Sequence, residues 1–319
     1  MGGLTGRYKL RRQVMNTKRK EPNQGMDALA YELKHLALGA GGGSHTTRQQ
    51  RHRGLQLIAR ELRGMGYVLP SARSLKPKHV DVLVSAWKAA GLTAGTLKNR
   101  MGWIRYWAAT VRKTSVLPRD NAELGIERRT AFKGDKAKTV TTATLAALPE
   151  RIRLAVRLQM AFGLRLEESL KIRPASADGG DHLALKASWC KGGRSRAIPV
   201  THPRQRALLD EVRRLCGDGS LIPEGRPYID FRKEVERATW GAGIRNMHGH
   251  RHWYAQWRYH VLTGTRPPAA GGRTYENMTQ AERAADYRAR MEISRELGHN
   301  RLEVTDVYLG RRFAGKVSS

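Results

Sequence analysis

The sequence predicts a mainly α-helical protein of two domains, the second of which contains a small β-hairpin. Apolar residues recur at helical spacing in both halves of the chain, and one short stretch alternates apolar and other residues before a Gly-Gly pair. The length of 319 residues is comfortable for two domains. A chain that is 40% hydrophobic and this long can bury a sizeable core, which argues against a disordered basic protein.

The first part of the chain predicts a basic arm followed by a helical domain. Residues 1–25, with KLRRQVMNTKRK, lack apolar periodicity and predict a flexible arm. The helical domain, residues 26–115, begins with MDALAYELKHLAL, and a glycine-rich joint near residues 40–43 interrupts it. Its clearest helix has a buried stripe made of Leu97, Met101, Ile104, Ala108 and Val111.

Basic residues fall elsewhere around that helix. Lys98, Arg100 and Arg105 are candidates for contacts with DNA phosphates. Taken singly, each is more typical of a solvated helix face. The DNA-binding interpretation therefore depends on the rest of the chain.

An interdomain linker over residues 116–138 precedes the second domain, residues 139–319. The linker, VLPRDNAELGIERRTAFKGDKAK, mixes Pro, Gly and charged residues without periodicity. Beyond it, a Thr-rich start offers helix caps. The helix that follows ends near Gly163, and its apolar face is formed by Ile152, Ala155, Val156 and Met160. This places Arg165 at a corner between two helices.

A β-hairpin and two further helices complete the second domain. Apolar residues occupy every second position before the hairpin turn: Leu183, Leu185, Ala187 and Trp189. Gly192 and Gly193 supply the turn, with Lys191 at the end of the first strand and the candidate DNA-binding Arg194 just after it. A helix is predicted from His248 to Leu262, and a second one begins at a capping box and stops at Gly298.

Composition favours a polyanionic partner. Fifty-nine Lys and Arg against 28 Asp and Glu give a net charge of +31, which favours a nucleic-acid partner; the alternative on charge alone is a ribosomal or histone-like protein. Two cysteines without metal-ligand spacing, and no apolar leader or membrane span, predict a reduced cytoplasmic protein. The motif HGHRH suggests zinc, but no acidic or cysteine partner lies near it.

Six side chains in the second domain form a set suited to phosphodiester chemistry. They are Arg165, Lys191, His248, Arg251, His299 and Tyr308. Arginines can donate paired N–H groups to nonbridging oxygens and take the place of a metal ion, while a tyrosine can attack the phosphorus. A histidine can accept the phenolic proton, for which His248 is the candidate, and Lys191 can protonate the leaving hydroxyl.

The motifs that carry these residues resemble those of the tyrosine recombinases, the phage-integrase type of site-specific DNA recombinase. They are AFGLRLEESL, SWCKGGRSRAIPV, HGHRH and LGHNRLEVTDVYLG. The resemblance runs from about residue 139 to 308 for the catalytic domain, and more weakly over 44–115 for the helical core-binding domain. One departure is a longer segment before His299, GTRPPAAGGRTYENMTQAERAADY.

The resemblance implies an activity, its residues and its partners. The six residues above become the catalytic set, with Tyr308 as nucleophile, His299 on the phosphate and Glu168 orienting Arg165. The implied product is a covalent 3′-phosphotyrosine link, made without ATP, metal or other cofactor. Double-stranded DNA is the implied partner, clamped between the two domains and bound by a tetramer of this chain, and a need for an accessory DNA-bending protein stays open.

Three other classes of protein are alternatives to a tyrosine recombinase. A catalytically inactive DNA-binding relative or regulator would share the same motifs and differ only in activity. A serine-type recombinase would need an activated serine with arginines in an N-terminal domain, and a metal-dependent transposase would need a carboxylate cluster. The sequence contains neither pattern.

Overall fold

The computed structural model describes residues 27–39, 42–127, 134–190, 192–299 and 301–312. The chain divides into two compact units between residues 129 and 130, and each unit has its own hydrophobic core. The described residues are mostly helical, with one two-stranded antiparallel sheet, so the predicted fold class is confirmed. The predicted basic arm, residues 1–25, lies outside the described residues.

The first unit is a helical bundle. Its helices are α1 (Ala28–Leu38), α2 (His45–Gly64), α3 (Pro77–Ala89) and α4 (Ala94–Thr110). The side chains of Asp27, Ser44 and Thr93 cap α1, α2 and α4 by accepting backbone N–H bonds, so short polar residues set where these helices begin. The indole of Trp107 is buried in the core and donates to the carbonyl of Ala72 at 2.8 Å.

The start of the predicted linker packs on this unit. Ile126 is buried in the first core, and Leu117 and Leu124 are half-buried against it. Apolar side chains at these positions gain by leaving water, so the chain follows the bundle as far as Ile126. Residues 128–133 lie outside the described part of the chain.

The second unit is built around a central helix. Its elements are α5 (Thr142–Ala146), α6 (Glu150–Phe162), α7 (Leu166–Lys171), α8 (Pro174–Ala177), β1 (His182–Leu185), β2 (Arg196–Pro199), α9 (Pro203–Cys216), α10 (Tyr228–Gly241), α11 (Gly249–Thr263), α12 (Gln280–Glu296) and α13 (Leu302–Leu309). Helix α6 contacts α7, α9, α10 and α11. Because it has neighbours on several sides, it buries side chains over more than half of its circumference, a wider face than one narrow stripe.

The hairpin is shorter than predicted. β1 pairs with β2 in antiparallel register, with Leu183 opposite Ile198, but β1 ends at Leu185 and a 3-10 turn follows over Ala187–Trp189. Trp189 and Cys190 both pack on the core, whereas an extended strand would point neighbouring side chains to opposite faces. The prediction that Lys191 ends the first strand is therefore wrong, and Lys191 itself lies outside the described residues.

The other predicted elements of this unit are confirmed. Gly192 and Gly193 both have positive φ, as the predicted turn requires. Helix α11 begins after His248, and α12 begins at the predicted capping box, in which Thr279 and Glu282 exchange hydrogen bonds. Within the described ranges, no helix is both long and apolar enough to cross a membrane.

Candidate active site

The corner between α6 and α7 presents Arg165. Helix α6 ends at Gly163, whose φ of +60° lies in the left-handed region. A Cβ atom at this position would lie 2.5 Å from Cδ1 of Tyr254, so only glycine fits there. Two residues later, Arg165 occupies the position before the first turn of α7, with its side chain 22% exposed.

A buried carboxylate holds Arg165. Glu168 is fully buried and accepts from the backbone N–H and from Nη1 of Arg165, both at 2.8 Å. It also accepts from Nη2 of Arg196 at 2.7 Å. Burial alone would raise the pKa of Glu168, but the hydrogen bonds and charges of Arg196 and Arg165 lower it to about 2. Glu168 thus contacts Arg165 as predicted, and Arg196 is a partner that sequence reasoning missed.

This carboxylate is expected to contribute stability that depends on pH. Its folded-state pKa of about 2 lies below the ordinary 4.5, so the contribution is complete above pH 4.5 and is lost as the pH falls toward 2. We expect Glu168→Gln to lower the free energy of unfolding by about 3 kcal/mol at pH 7 and by about 1 kcal/mol at pH 3. Denaturant titrations of both proteins at the two pH values measure this difference. A pH-independent difference would contradict it.

Arg251, in the first turn of α11, is buried and joins three parts of the unit. Its Nη1 donates to the carbonyl of Gly163 at 2.5 Å, and its Nη2 donates to the carbonyl of Leu297. Its Nε donates to Oη of Tyr308 at 3.3 Å. Burial lowers the pKa of Arg251 to about 10, so the guanidinium still carries its charge at pH 7.

Tyr308, in the last turn of α13, lies beside three histidines. Its Oη is 3.3 Å from Nε2 of His299, which follows the glycine stop of α12. The rings of His252 and His248 lie 4.6 and 6.1 Å from the tyrosine ring, centroid to centroid. His299 is therefore the histidine within hydrogen-bond distance of the phenol, whereas His248 contacts Tyr308 ring to ring.

The surroundings of the three histidines beside Tyr308 favour their neutral form. Burial, followed by the charges of Arg251 and Arg165, lowers the pKa of His299 to about 4. Burial likewise lowers the pKa of His252 to about 4 and, with Arg251, the pKa of His248 below its ordinary value. A neutral imidazole can accept a proton. In the described part of the chain, no three His, Cys, Asp or Glu side chains converge as a metal site requires.

Helix α13 is anchored at its end by the segment that lengthens the chain before His299. Gly310, just after α13, packs on a 3-10 turn of that segment, and a Cβ at Gly310 would lie 2.8 Å from the backbone nitrogen of Ala269. From α12, the buried Arg290 donates to the carbonyl of Gly310 at 3.0 Å and to Asp306 at 3.1 Å. The longer segment therefore supports the helix that carries Tyr308.

The predicted DNA-binding residues are divided between the two units. In the first unit, Arg100 pairs with Glu61 at 2.7 Å, and Arg105 donates to the carbonyl of Pro118 at 3.0 Å, so both are used inside the unit. Lys98 lines a cleft between α2 and α4. Arg194 is exposed in the hairpin loop of the second unit.

Two residues near the site were missed by sequence reasoning. His252 had a signal, because it follows His248 by four residues and so lies on the same face of α11. Arg196 had none, since one arginine among so many has no distinguishing pattern. Its partners, Glu168 and the carbonyl of Glu296, are 28 and 100 residues away.

Comparisons with known proteins agree with this architecture. Residues 26–116 match the family model described as phage integrase, N-terminal. A search of curated proteins gave no match.

Solved structures match over most of the chain. A lambda integrase dimer bound to a COC′ core site has a TM-score of 0.57 and 16% identity, covering 89% of this chain and 96% of its own. The XerH site-specific recombinase bound to difH has a TM-score of 0.53 and 16% identity, covering 95% and 90%. The Tn1549 transposon integrase with circular intermediate DNA has a TM-score of 0.52 and 14% identity, covering 88% and 95%. At these identities the likeness establishes a shared fold.

Proposed function

We propose, from the premise that the chain has the tyrosine recombinase fold and a phage-integrase N-terminal domain, that it is a site-specific DNA recombinase. It cleaves and rejoins DNA strands through a covalent 3′-phosphotyrosine intermediate. The observation that carries the proposal is the placement of the Tyr308 hydroxyl, which lies 3.3 Å from both Nε of Arg251 and Nε2 of His299. A phenol in this position has a cation and a proton acceptor beside it.

The cleavage step requires a nucleophile, a leaving group and charge stabilisation. Oη of Tyr308 forms a bond to phosphorus as the bond from phosphorus to the 5′-oxygen breaks. The guanidinium groups of Arg165 and Arg251 stabilise the negative charge that develops on the nonbridging oxygens. Arg251 already uses N–H groups on two carbonyls, so it is rigidly placed before the phosphate arrives, and Arg165 offers the more exposed donors.

Two proton transfers complete the step. The phenolic proton goes to a neutral imidazole, and distance favours His299 over His248 as its acceptor. The departing 5′-oxygen receives a proton from Lys191, which the sequence places in the hairpin loop. The phosphotyrosine bond keeps its energy for attack by the 5′-hydroxyl of another strand, so rejoining reverses these transfers.

The net charge of the chain and a cleft in the first unit both favour DNA as the partner. The net charge of +31 suits a polyanion, and the cleft of the first unit carries Arg53 and Lys98 beside Asn99 and Trp103. Strand exchange between two duplexes needs four cleavage sites, and we propose that four copies of the chain supply them. A lambda integrase tetramer bound to a Holliday junction is among the proteins that share the fold.

The test is covalent trapping without magnesium. The protein is incubated in EDTA with nicked duplexes drawn from the DNA that flanks its own gene, and the products are separated on denaturing gels. We expect a protein–DNA adduct whose DNA-linked peptide contains Tyr308. Salt-sensitive binding to such duplexes with no adduct from any of them would favour the inactive DNA-binding relative instead.

A further inference from the structure

One side chain connects the nucleophile to the segment that enters the second unit. Nε2 of Gln256, buried on α11, donates to Oδ1 of Asp135 at 2.7 Å and to the backbone carbonyl of Tyr308 at 3.3 Å. A primary amide nitrogen has two hydrogens, so one group can serve both acceptors. Tyr308 lies in the last turn of α13, where backbone carbonyls have no partner within the helix, and Gln256 supplies one.

The entering segment, residues 134–138, is itself held firmly on α11. The backbone N–H of Lys138 donates to the carbonyl of Gly249 at 3.1 Å, and Nδ1 of His250 donates to the carbonyl of Lys138 at 3.0 Å. The segment lies very close to the start of α11, because a Cβ at Gly249 would lie 2.8 Å from the carbonyl oxygen of Lys136. This part of the predicted linker is therefore a fixed element of the second unit.

The same segment also contributes charge to the site. Lys136 adds to the burial and the neighbouring charges that lower the pKa of His248 and of His252, and the charge of Asp135 opposes this lowering at His252. Residues 134–138 are thus connected to the site by hydrogen bonds and also contribute charge to it.

We propose that Asp135 and Gln256 are positioning residues, which hold the main chain of Tyr308 and thereby aim its hydroxyl. This inference rests on the proposed function. Asp135 fixes the amide of Gln256, and the amide fixes the carbonyl of the nucleophilic residue. Residues 134–138 are thereby joined to the main chain of Tyr308 through the side chains of Asp135 and Gln256.

Asp135 offers the cleaner experiment, because it is exposed and its loss leaves no cavity. Its Oδ1 also accepts from the backbone N–H of Ala137 at 2.9 Å, within the segment. Asp135→Asn keeps an acceptor oxygen for both bonds and loses only the charge, whereas Asp135→Ala loses both bonds. The two variants therefore separate positioning by hydrogen bond from an effect of charge.

The measurement is the single-turnover rate of covalent cleavage on a nicked duplex, at protein concentrations that saturate the DNA. We expect Asp135→Ala and Gln256→Met to cleave about tenfold more slowly, since a small misplacement of a reacting group has a large effect on rate. Asp135→Asn should stay within about twofold of wild type, and the Kd for the duplex should change by less than about twofold in all three.

Three outcomes decide the inference. Equal rates for Asp135→Ala and wild type would overturn it, and so would an equal slowing by Asp135→Asn, which would point to charge alone. A matched loss of binding and rate in Asp135→Ala would also overturn it, since that indicates a structural role. Absence of any adduct from wild type would instead overturn the proposed function, so the two failures are distinguishable.

Discussion

Replacing Tyr308 by phenylalanine is expected to abolish the covalent adduct and leave DNA binding almost unchanged. The substitution removes only the oxygen that attacks phosphorus, and the remaining ring keeps its packing against His252. Loss of a nucleophile lowers the rate of such reactions by at least about 10⁴-fold. Denaturing gels measure the adduct, and gel shifts at constant salt measure the Kd, which we expect to change by less than about twofold.

A matched control uses another tyrosine of the same unit. Tyr287 is exposed on α12, so Tyr287→Phe should cleave at the wild-type rate. If Tyr308→Phe still formed an adduct, the nucleophile would be another residue. Peptide mapping of that adduct would identify it.

Arg251→Lys is expected to lower the rate of cleavage by about 10³-fold, although the positive charge is retained. One guanidinium reaches the carbonyls of Gly163 and Leu297 and the hydroxyl of Tyr308. A lysine has a single nitrogen, which cannot span three acceptors or offer a planar fork to a phosphate. The substitution should therefore release the corner before Arg165 as well as the nucleophile. Single-turnover cleavage under saturating protein is the measurement.

The control for this variant lies two turns along the same helix. Arg258 is also buried, but its partners are Glu296 and Glu292, so Arg258→Lys changes an ion pair away from Tyr308. We expect it to lower stability and to leave the cleavage rate of the folded protein within about threefold of wild type. If Arg251→Lys cleaved at a rate similar to that of Arg258→Lys, the paired N–H donors of Arg251 would not be needed.

Much of the fold follows from local features of the sequence. The helix starts at Ser44, Thr93 and Thr279 depend on side chains within three residues of the backbone groups that they cap. The stop at Gly163 depends on one residue that tolerates positive φ. Apolar spacing alone then indicates which face of each helix is buried, because a helix repeats every 3.6 residues. These features need no knowledge of distant parts of the chain.

The hairpin shows where local reasoning fails. The alternation that predicts a long first strand continues through Trp189, but Trp189 and Cys190 both pack on the core formed with distant helices. Their burial outweighs the strand preference, and the backbone turns after Leu185.

The sequence by itself determined the helical fold class and the caps and stops, since residue type and near-neighbour spacing carry that information. The resemblance of its motifs to those of the tyrosine recombinases supplied the candidate residues Arg165, His248, Arg251, His299 and Tyr308. Only the tertiary structure decided which of them touch. It placed His299 rather than His248 at the phenol, and it brought Arg196 to Glu168 and Gln256 to Asp135. The last pair is 121 residues apart, and contacts over such separations depend on how whole helices pack, which no local pattern encodes.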